Sequence, residues 1–268
     1  MPELPEVETI ARDLAPRLRG HTIVRLQAAR RPPVFAPNSL PARELVGRRI
    51  RDVGRAGKFI LIELDGDLRL AVHLRMTGNL LYQSSPGPVG YTRATLDLDN
   101  GARVVFADVR KFGRLRAFRG DPREQLGVGI DPFAPELDAR AFGELARGRR
   151  APVKSWLLDQ RHIAGVGNIY ACESLFYAGV RPKRRVGKLS RSQRERLLVS
   201  LRRVLRKAIH HRGSSVDDYR DGEGKKGEFQ KHLAVYGRAG APCRRCGTPI
   251  RRIVLAQRGT FYCPVCQA

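Results

Sequence analysis

Leu96-Asp97-Leu98-Asp99-Asn100-Gly101-Ala102-Arg103-Val104-Val105-Phe106 reads as two short apolar runs joined through Asn-Gly, a pair that enters the positive-φ region of a tight reversal at little cost. The stretch predicts a β-hairpin. Upstream, Leu68, Leu70, Val72 and Leu74 alternate with Arg69, Ala71 and His73, which is the period of a strand with one face on a core. Several short strands with turn chemistry between them predict a β-sandwich. A helix flanks it, because Val7, Ile10, Leu14 and Leu18 recur at helical spacing and Gly20 follows as a stop.

Beyond residue 118 the pattern changes. Gly120, Pro122, Gly127, Gly129, Pro132 and Pro135 mark 119–138 as a linker. Helical patterns then cover 139–147, 153–160, 169–178 and 190–210. In the last of these, Leu197, Leu201, Leu205 and Ile209 predict a buried stripe, with Arg194, Arg202, Arg206 and Lys207 on a solvated face. Residues 212–231, rich in Gly, Asp and Lys, predict a loop. The expected fold class is α+β multidomain: an N-terminal helix and β-sandwich over 2–118, the linker, a helical domain with the loop over 139–231, and a small C-terminal ribbon over 232–268.

The 268 residues carry 51 Lys+Arg against 26 Asp+Glu, a formal net charge of +25. Such a surface calls for a polyanion. There is neither an apolar run long enough to span a bilayer nor a secretory signal, so nucleic acid is expected rather than a membrane. Four of the five cysteines fall in the last 26 residues as Cys243-x-x-Cys246 and Cys263-x-x-Cys266. Two such pairs can place four thiolates on one tetrahedral Zn2+, and a filled coordination shell makes that ion structural rather than catalytic. Between the pairs, 250–255 and 260–262 predict a two-stranded ribbon with Gly259 in its turn and Gln257-Arg258 exposed as a nucleic-acid probe. Cys172, the fifth, is expected to be partly buried and inert.

The chain opens Met1-Pro2-Glu3-Leu4-Pro5-Glu6-Val7-Glu8. Removal of Met1 would leave Pro2 as a secondary amine with a pKa of about 7.7–8.0, against about 10.4 for a lysine. Attack by such an amine on a sugar's anomeric carbon gives a cationic imine, and Glu3 could supply the acid. The same residues also read as a rigid start to the first helix, with Glu6 and Glu8 placed favourably for its dipole. Both readings stand on these residues alone.

Taken with Gly57-Lys58, His73-Leu74-Arg75-Met76-Thr77-Gly78, Asp108-Val109-Arg110-Lys111-Phe112-Gly113, Gly165-Val166-Gly167-Asn168-Ile169-Tyr170-Ala171 and Val235-Tyr236-Gly237-Arg238, the chain resembles the formamidopyrimidine-DNA glycosylases over essentially its whole length. The resemblance implies a β-sandwich, a helix-two-turns-helix module and a zinc ribbon acting on damaged double-stranded DNA. It implies Pro2 as nucleophile, Glu3 as acid, Lys58 at the first elimination and Arg258 at the second phosphate. Lys58 also reads as a generic phosphate contact, and the two roles are compatible. Met76, Arg110 and Phe112 would fill the space left by an extruded base, although from sequence alone Met76 and Phe112 read as core. Asn168, His73, Arg93, Arg150 and Tyr236 would contact the DNA. Arg93 stands where some relatives carry histidine, and Arg147, Arg149 and Lys154 lie close enough to Arg150 to compete for its role. The implied activity is excision of oxidised purines with strand cleavage, by a monomer in the bacterial cytoplasm. Two rivals are the endonuclease VIII branch, which prefers oxidised pyrimidines, and a noncatalytic protein that binds bent or damaged DNA. The Met76, Arg110 and Phe112 set favours the purine branch, and the coexistence of Pro2, Glu3 and Lys58 argues against the noncatalytic protein.

Overall fold

Glu3 and Glu6 form a capping box ahead of helix α1 (Leu4–Leu18), with Pro5 in its first turn. The reciprocal bonds satisfy amides that a helix start otherwise leaves open. The buried stripe of this helix meets two four-stranded antiparallel sheets. One holds β1 (Ile23–Ala28), β5 (Gly78–Gln83), β6 (Thr92–Leu98) and β7 (Arg103–Asp108) in the order β1-β6-β7-β5. The other holds β2 (Ile50–Ala56), β3 (Phe59–Leu64), β4 (Leu68–His73) and β8 (Arg114–Arg119) in the order β2-β3-β4-β8. Ile10 and Leu14 share one buried cluster with Ile62 and Leu70 of one sheet and Leu96 and Phe106 of the other. Each such side chain contributes about 1.5–3 kcal/mol on burial.

The structure is a computed structural model that describes residues 1–215, 219–222 and 224–268. Its contacts fall into two units, Met1–Leu126 with His211–Gln230, and Gly127–His210 with Lys231–Ala268. The β6–β7 hairpin forms where Asn100-Gly101 predicts it. Gly101, at φ +82°, donates its N–H to Leu98 C=O at 3.0 Å and supplies the positive φ. Strand β4 departs from clean alternation, because Ala71 is buried with Leu61 and Phe118 on the sheet's other face. Leu126, at the end of the short helix α2 (Pro122–Leu126), packs there too, so the linker is partly ordered.

Sequence patterning groups 211–230 with the helical domain, whereas its contacts lie with the sandwich and α1. Glu6 accepts the Ser214 N–H at 2.7 Å, Asp13 pairs with Arg212 at 2.6 Å, and Tyr219 joins the N-terminal core. Residues 216–218 and 223 of this expected loop lie outside the described residues.

In the second unit, Asp138 caps α3 (Ala139–Ala146) by accepting the Arg140 and Ala141 N–H groups at 2.9 and 2.7 Å. Helices α4 (Val153–Leu157), α5 (Asn168–Ala178) and α6 (Arg191–His210) follow. Leu197, Leu201 and Leu205 of α6 are buried as expected. Arg202 is not simply solvated: its guanidinium donates to Pro132, Ala134 and Leu137 C=O at 2.7, 3.1 and 2.7 Å, holding the linker against α6. The ribbon pairs β9 (Arg251–Leu255) with β10 (Arg258–Tyr262), so its turn is Ala256-Gln257 at φ +47° and +57°. Gly259 lies within β10, opposite Val254, rather than in the turn. No helix among the described residues is long and apolar enough to cross a membrane.

Candidate active site and nucleic-acid interface

Pro2 is buried beside the N-cap of α1, and Glu3 is only 4% exposed. The Glu3 N–H donates to Glu6 Oε2 at 2.8 Å, which fixes the backbone next to the candidate nucleophile. Lys58 is buried in the two-residue turn between β2 and β3, where Gly57 takes φ +58°. Its neighbour Phe59 pairs with His73 across β3–β4, and the two rings meet edge to face at 4.6 Å. Burial, reinforced by the charges of Arg75 and Lys58, pulls the His73 pKa down to about 3. His73 is therefore neutral at physiological pH, and its Nδ1 accepts the Arg75 N–H at 3.1 Å. That leaves Nε2 as the protonated nitrogen.

Two loops of the sandwich meet through Asp108, which is 1% exposed. Its Oδ1 accepts the Thr77 hydroxyl at 2.5 Å and the Arg110 N–H at 3.2 Å, while Oδ2 accepts the Gly113 N–H at 2.7 Å. One buried carboxylate thus sets the loop carrying Met76 against the loop carrying Arg110 and Phe112. Gly113 has no room for a side chain, since a Cβ there would stand 2.4 Å from Phe106 Cζ. Phe112 is 49% exposed and Met76 half-buried, so neither is the core residue that strand patterning suggests. The Arg110 guanidinium sits 4.8 Å over the Phe112 ring, an exposed cation–π stack. Beside these loops lies a cavity of about 320 Å3, walled by Thr77, Asn79, Tyr91, Asp108, Arg220 and Gly224. Arg93, expected at the DNA, is instead 7% exposed and donates to Pro32 C=O.

In the second unit, Asn168 opens α5 and its Nδ2 donates to Gly259 C=O at 3.0 Å, next to the exposed Arg258. Tyr236 lies edge to face with Phe261 of β10 at 5.1 Å. Arg150 is exposed between α3 and α4. The four ribbon thiols lie within 4.8 Å of one another, with Cys243–Cys266 and Cys246–Cys263 Sγ separations of 4.0 and 3.5 Å. A tetrahedron with Zn–S bonds of about 2.3 Å has edges of about 3.8 Å, so the cysteines fit one structural zinc ion. Cys172 is fully buried and packs in the cluster that contains Cys243 and Cys263.

Models of the formamidopyrimidine-DNA glycosylase N-terminal domain, its H2TH domain and the zinc finger found in FPG and IleRS match residues 1–115, 128–220 and 240–268. The formamidopyrimidine-DNA glycosylase of Chloroflexus aurantiacus is 45% identical, with 100% of this chain and 98% of the relative covered. The chain belongs to the formamidopyrimidine-DNA glycosylase family. Among solved structures, the MutM (Fpg) protein of Thermus thermophilus superposes with a TM-score of 0.88 at 40% identity, covering 99% of this chain and 98% of that one. A mutant Lactococcus lactis Fpg in complex with Fapy-dG-containing DNA gives a TM-score of 0.87 at 35% identity and 99% coverage of both chains.

Buried charged side chains brace the backbone around the site residues, among them Lys154, which the sequence sets beside Arg150 as a candidate DNA contact. Besides Asp108, Lys154 is fully buried and donates to Thr260 Oγ1 at 2.8 Å, bracing the strand that begins with Arg258. Glu173, also fully buried, accepts the N–H groups of Ala234, Val235 and Tyr236 at 2.8–2.9 Å. Burial raises its pKa while those three donors favour the charged form. A single carboxylate in the otherwise uncharged Asn168–Ala178 is the sequence signal that could have found it.

Proposed function

We propose that this chain is a bifunctional DNA glycosylase and abasic-site lyase that excises oxidised purines, chiefly 8-oxoguanine and ring-opened formamidopyrimidines, in base excision repair. The Pro2 amine, freed by removal of Met1, attacks the anomeric carbon, and the C–N bond to the base breaks. Glu3 gives a proton to the opening sugar. The resulting imine acidifies the neighbouring C–H bond, Lys58 assists loss of the first phosphate, and Arg258 serves at the second. The zinc ion is structural and takes no part in these steps. His73, through Nε2, and Arg150, Asn168 and Tyr236 contact the DNA, whereas Arg93 drops out because its guanidinium is engaged inside the protein. The sandwich and α1 act as the catalytic domain, and the helical domain and ribbon grip the duplex.

The observation that carries this reading is the exposed Arg110–Phe112 stack mounted on a buried Asp108. Reaching a base inside a duplex costs a few kcal/mol of stacking and pairing. An aromatic wedge, a guanidinium able to bond the orphaned base and the flexible Met76 offset that cost. A site on DNA also uses the +25 charge. The enzyme acts as a monomer in the bacterial cytoplasm. Borohydride trapping on a duplex with one 8-oxoguanine opposite cytosine should yield a covalent adduct. An N-terminal extension that acylates Pro2 should abolish it. Retained Met1 in fully active enzyme, seen by mass spectrometry, would overturn the mechanism.

A further inference from the structure

The segment 211–230 rests on α1 through charge as well as packing. Arg212 Nε and Nη2 donate to Asp221 Oδ2 at 2.8 and 2.6 Å, and Nη2 also reaches Asp13 Oδ2 at 2.6 Å. The Asp221 side chain is fully buried and that of Asp13 is 13% exposed. Carboxylates so desolvated depend on their partners far more than surface ions do. Asp13 Oδ2 further accepts the Gly222 N–H at 3.2 Å, and Asp221 Oδ1 accepts the Lys225 N–H at 2.8 Å. The approach is close: a Cβ on Gly222 would stand 2.9 Å from Asp13 Cβ.

Two features connect this segment to chemistry. Arg220 and Gly224 wall the cavity beside Thr77 and Asp108. Ser214 donates its N–H to Glu6 Oε1, and the other oxygen of the same carboxylate holds the Glu3 N–H. A shift of the segment therefore opens the cavity, where an extruded base rather than an abasic sugar would be held.

We propose that Asp13, Arg212 and Asp221 form an ionic latch that fixes the segment on α1, and that all three are positioning residues for base excision. The latch itself is independent of the assigned activity; its link to excision rests on the reading given under Proposed function. Asp13→Asn, which keeps volume and removes charge, is the first test. Hydrogen exchange of the intact chain should show residues 212–215, 219–222 and 224–227 exchanging at least about tenfold faster. Single-turnover release of 8-oxoguanine should slow by about tenfold, with cleavage and borohydride trapping of a preformed abasic-site duplex staying within about twofold. Arg212→Lys should retain more excision than Arg212→Gln. Gly222→Ala, which displaces the segment sterically, should reproduce the Asp13→Asn pattern even where that variant folds poorly. Unchanged exchange overturns the latch. Faster exchange with unchanged excision, or equal losses of excision and abasic-site cleavage, overturns the positioning role. A parental enzyme that traps on neither DNA refutes the proposed function instead, while exchange still decides the latch.

Discussion

At His73, desolvation and two neighbouring cations act in the same direction, holding the folded pKa at about 3 against an ordinary value of 6.5. The unfolded chain therefore takes up a proton between those values that the folded chain refuses. This contribution to stability is complete above pH 6.5 and is lost progressively as pH falls towards 3, by up to about 1.4 kcal/mol per pH unit. Urea melts of the parental protein and His73→Gln between about pH 4.5 and 7.5 should show a shallower pH dependence for the variant; identical slopes would refute the assignment. The metal ligands were legible because their chemistry is local, two Cys-x-x-Cys pairs at fixed spacing. Phe112 and Met76 were not, because an apolar residue beside a strand reads as core until the loop around Asp108 turns it outward. Arg93 shows the converse, since its strand position carries it inward to Pro32.

At the scale of elements, periodicity located α1, α3, α6 and the β6–β7 hairpin, because each has an apolar face of its own period, whereas α5 is buried on nearly every side and has none. The ribbon turn was misplaced. The pairing of Leu255 with Arg258 forces Ala256 and Gln257 to positive φ, a conformation that propensity assigns to Gly259. The ribbon packs on the helical unit through Cys172, Phe176, Val235 and Ile250, and a zinc ion on its four thiolates adds to that packing a binding free energy that is on the order of 10–16 kcal/mol in comparable zinc peptides. Zinc removal or Cys263→Ser should unfold residues 240–268 and weaken DNA binding, while the calorimetric transition of the N-terminal unit persists. Protein proven free of zinc that binds DNA unchanged would show that the ribbon does not probe DNA.

At the scale of the whole molecule, a +25 protein making several phosphate contacts should lose DNA affinity steeply with salt, with a log–log slope of about −0.9 per phosphate neutralised. Arg150→Ala should flatten that slope by roughly one unit on damaged and intact duplexes alike. Phe112→Ala should leave the slope nearly unchanged and slow lesion excision, because it acts on the extruded state rather than on charge. Parental excision by Phe112→Ala would return that ring to a packing role. The sequence by itself determined helices α1, α3 and α6, the β6–β7 hairpin, the zinc ligands, the net positive charge and the family, since each rests on local period, fixed spacing or summed charge. Only the tertiary structure decided that the described residues of 211–230 pack on α1, that Asp108 and Glu173 hold loops, and that Lys154 braces β10. Those facts depend on which backbone amides meet a desolvated charge, and the partners lie as far apart in sequence as Glu6 and Ser214.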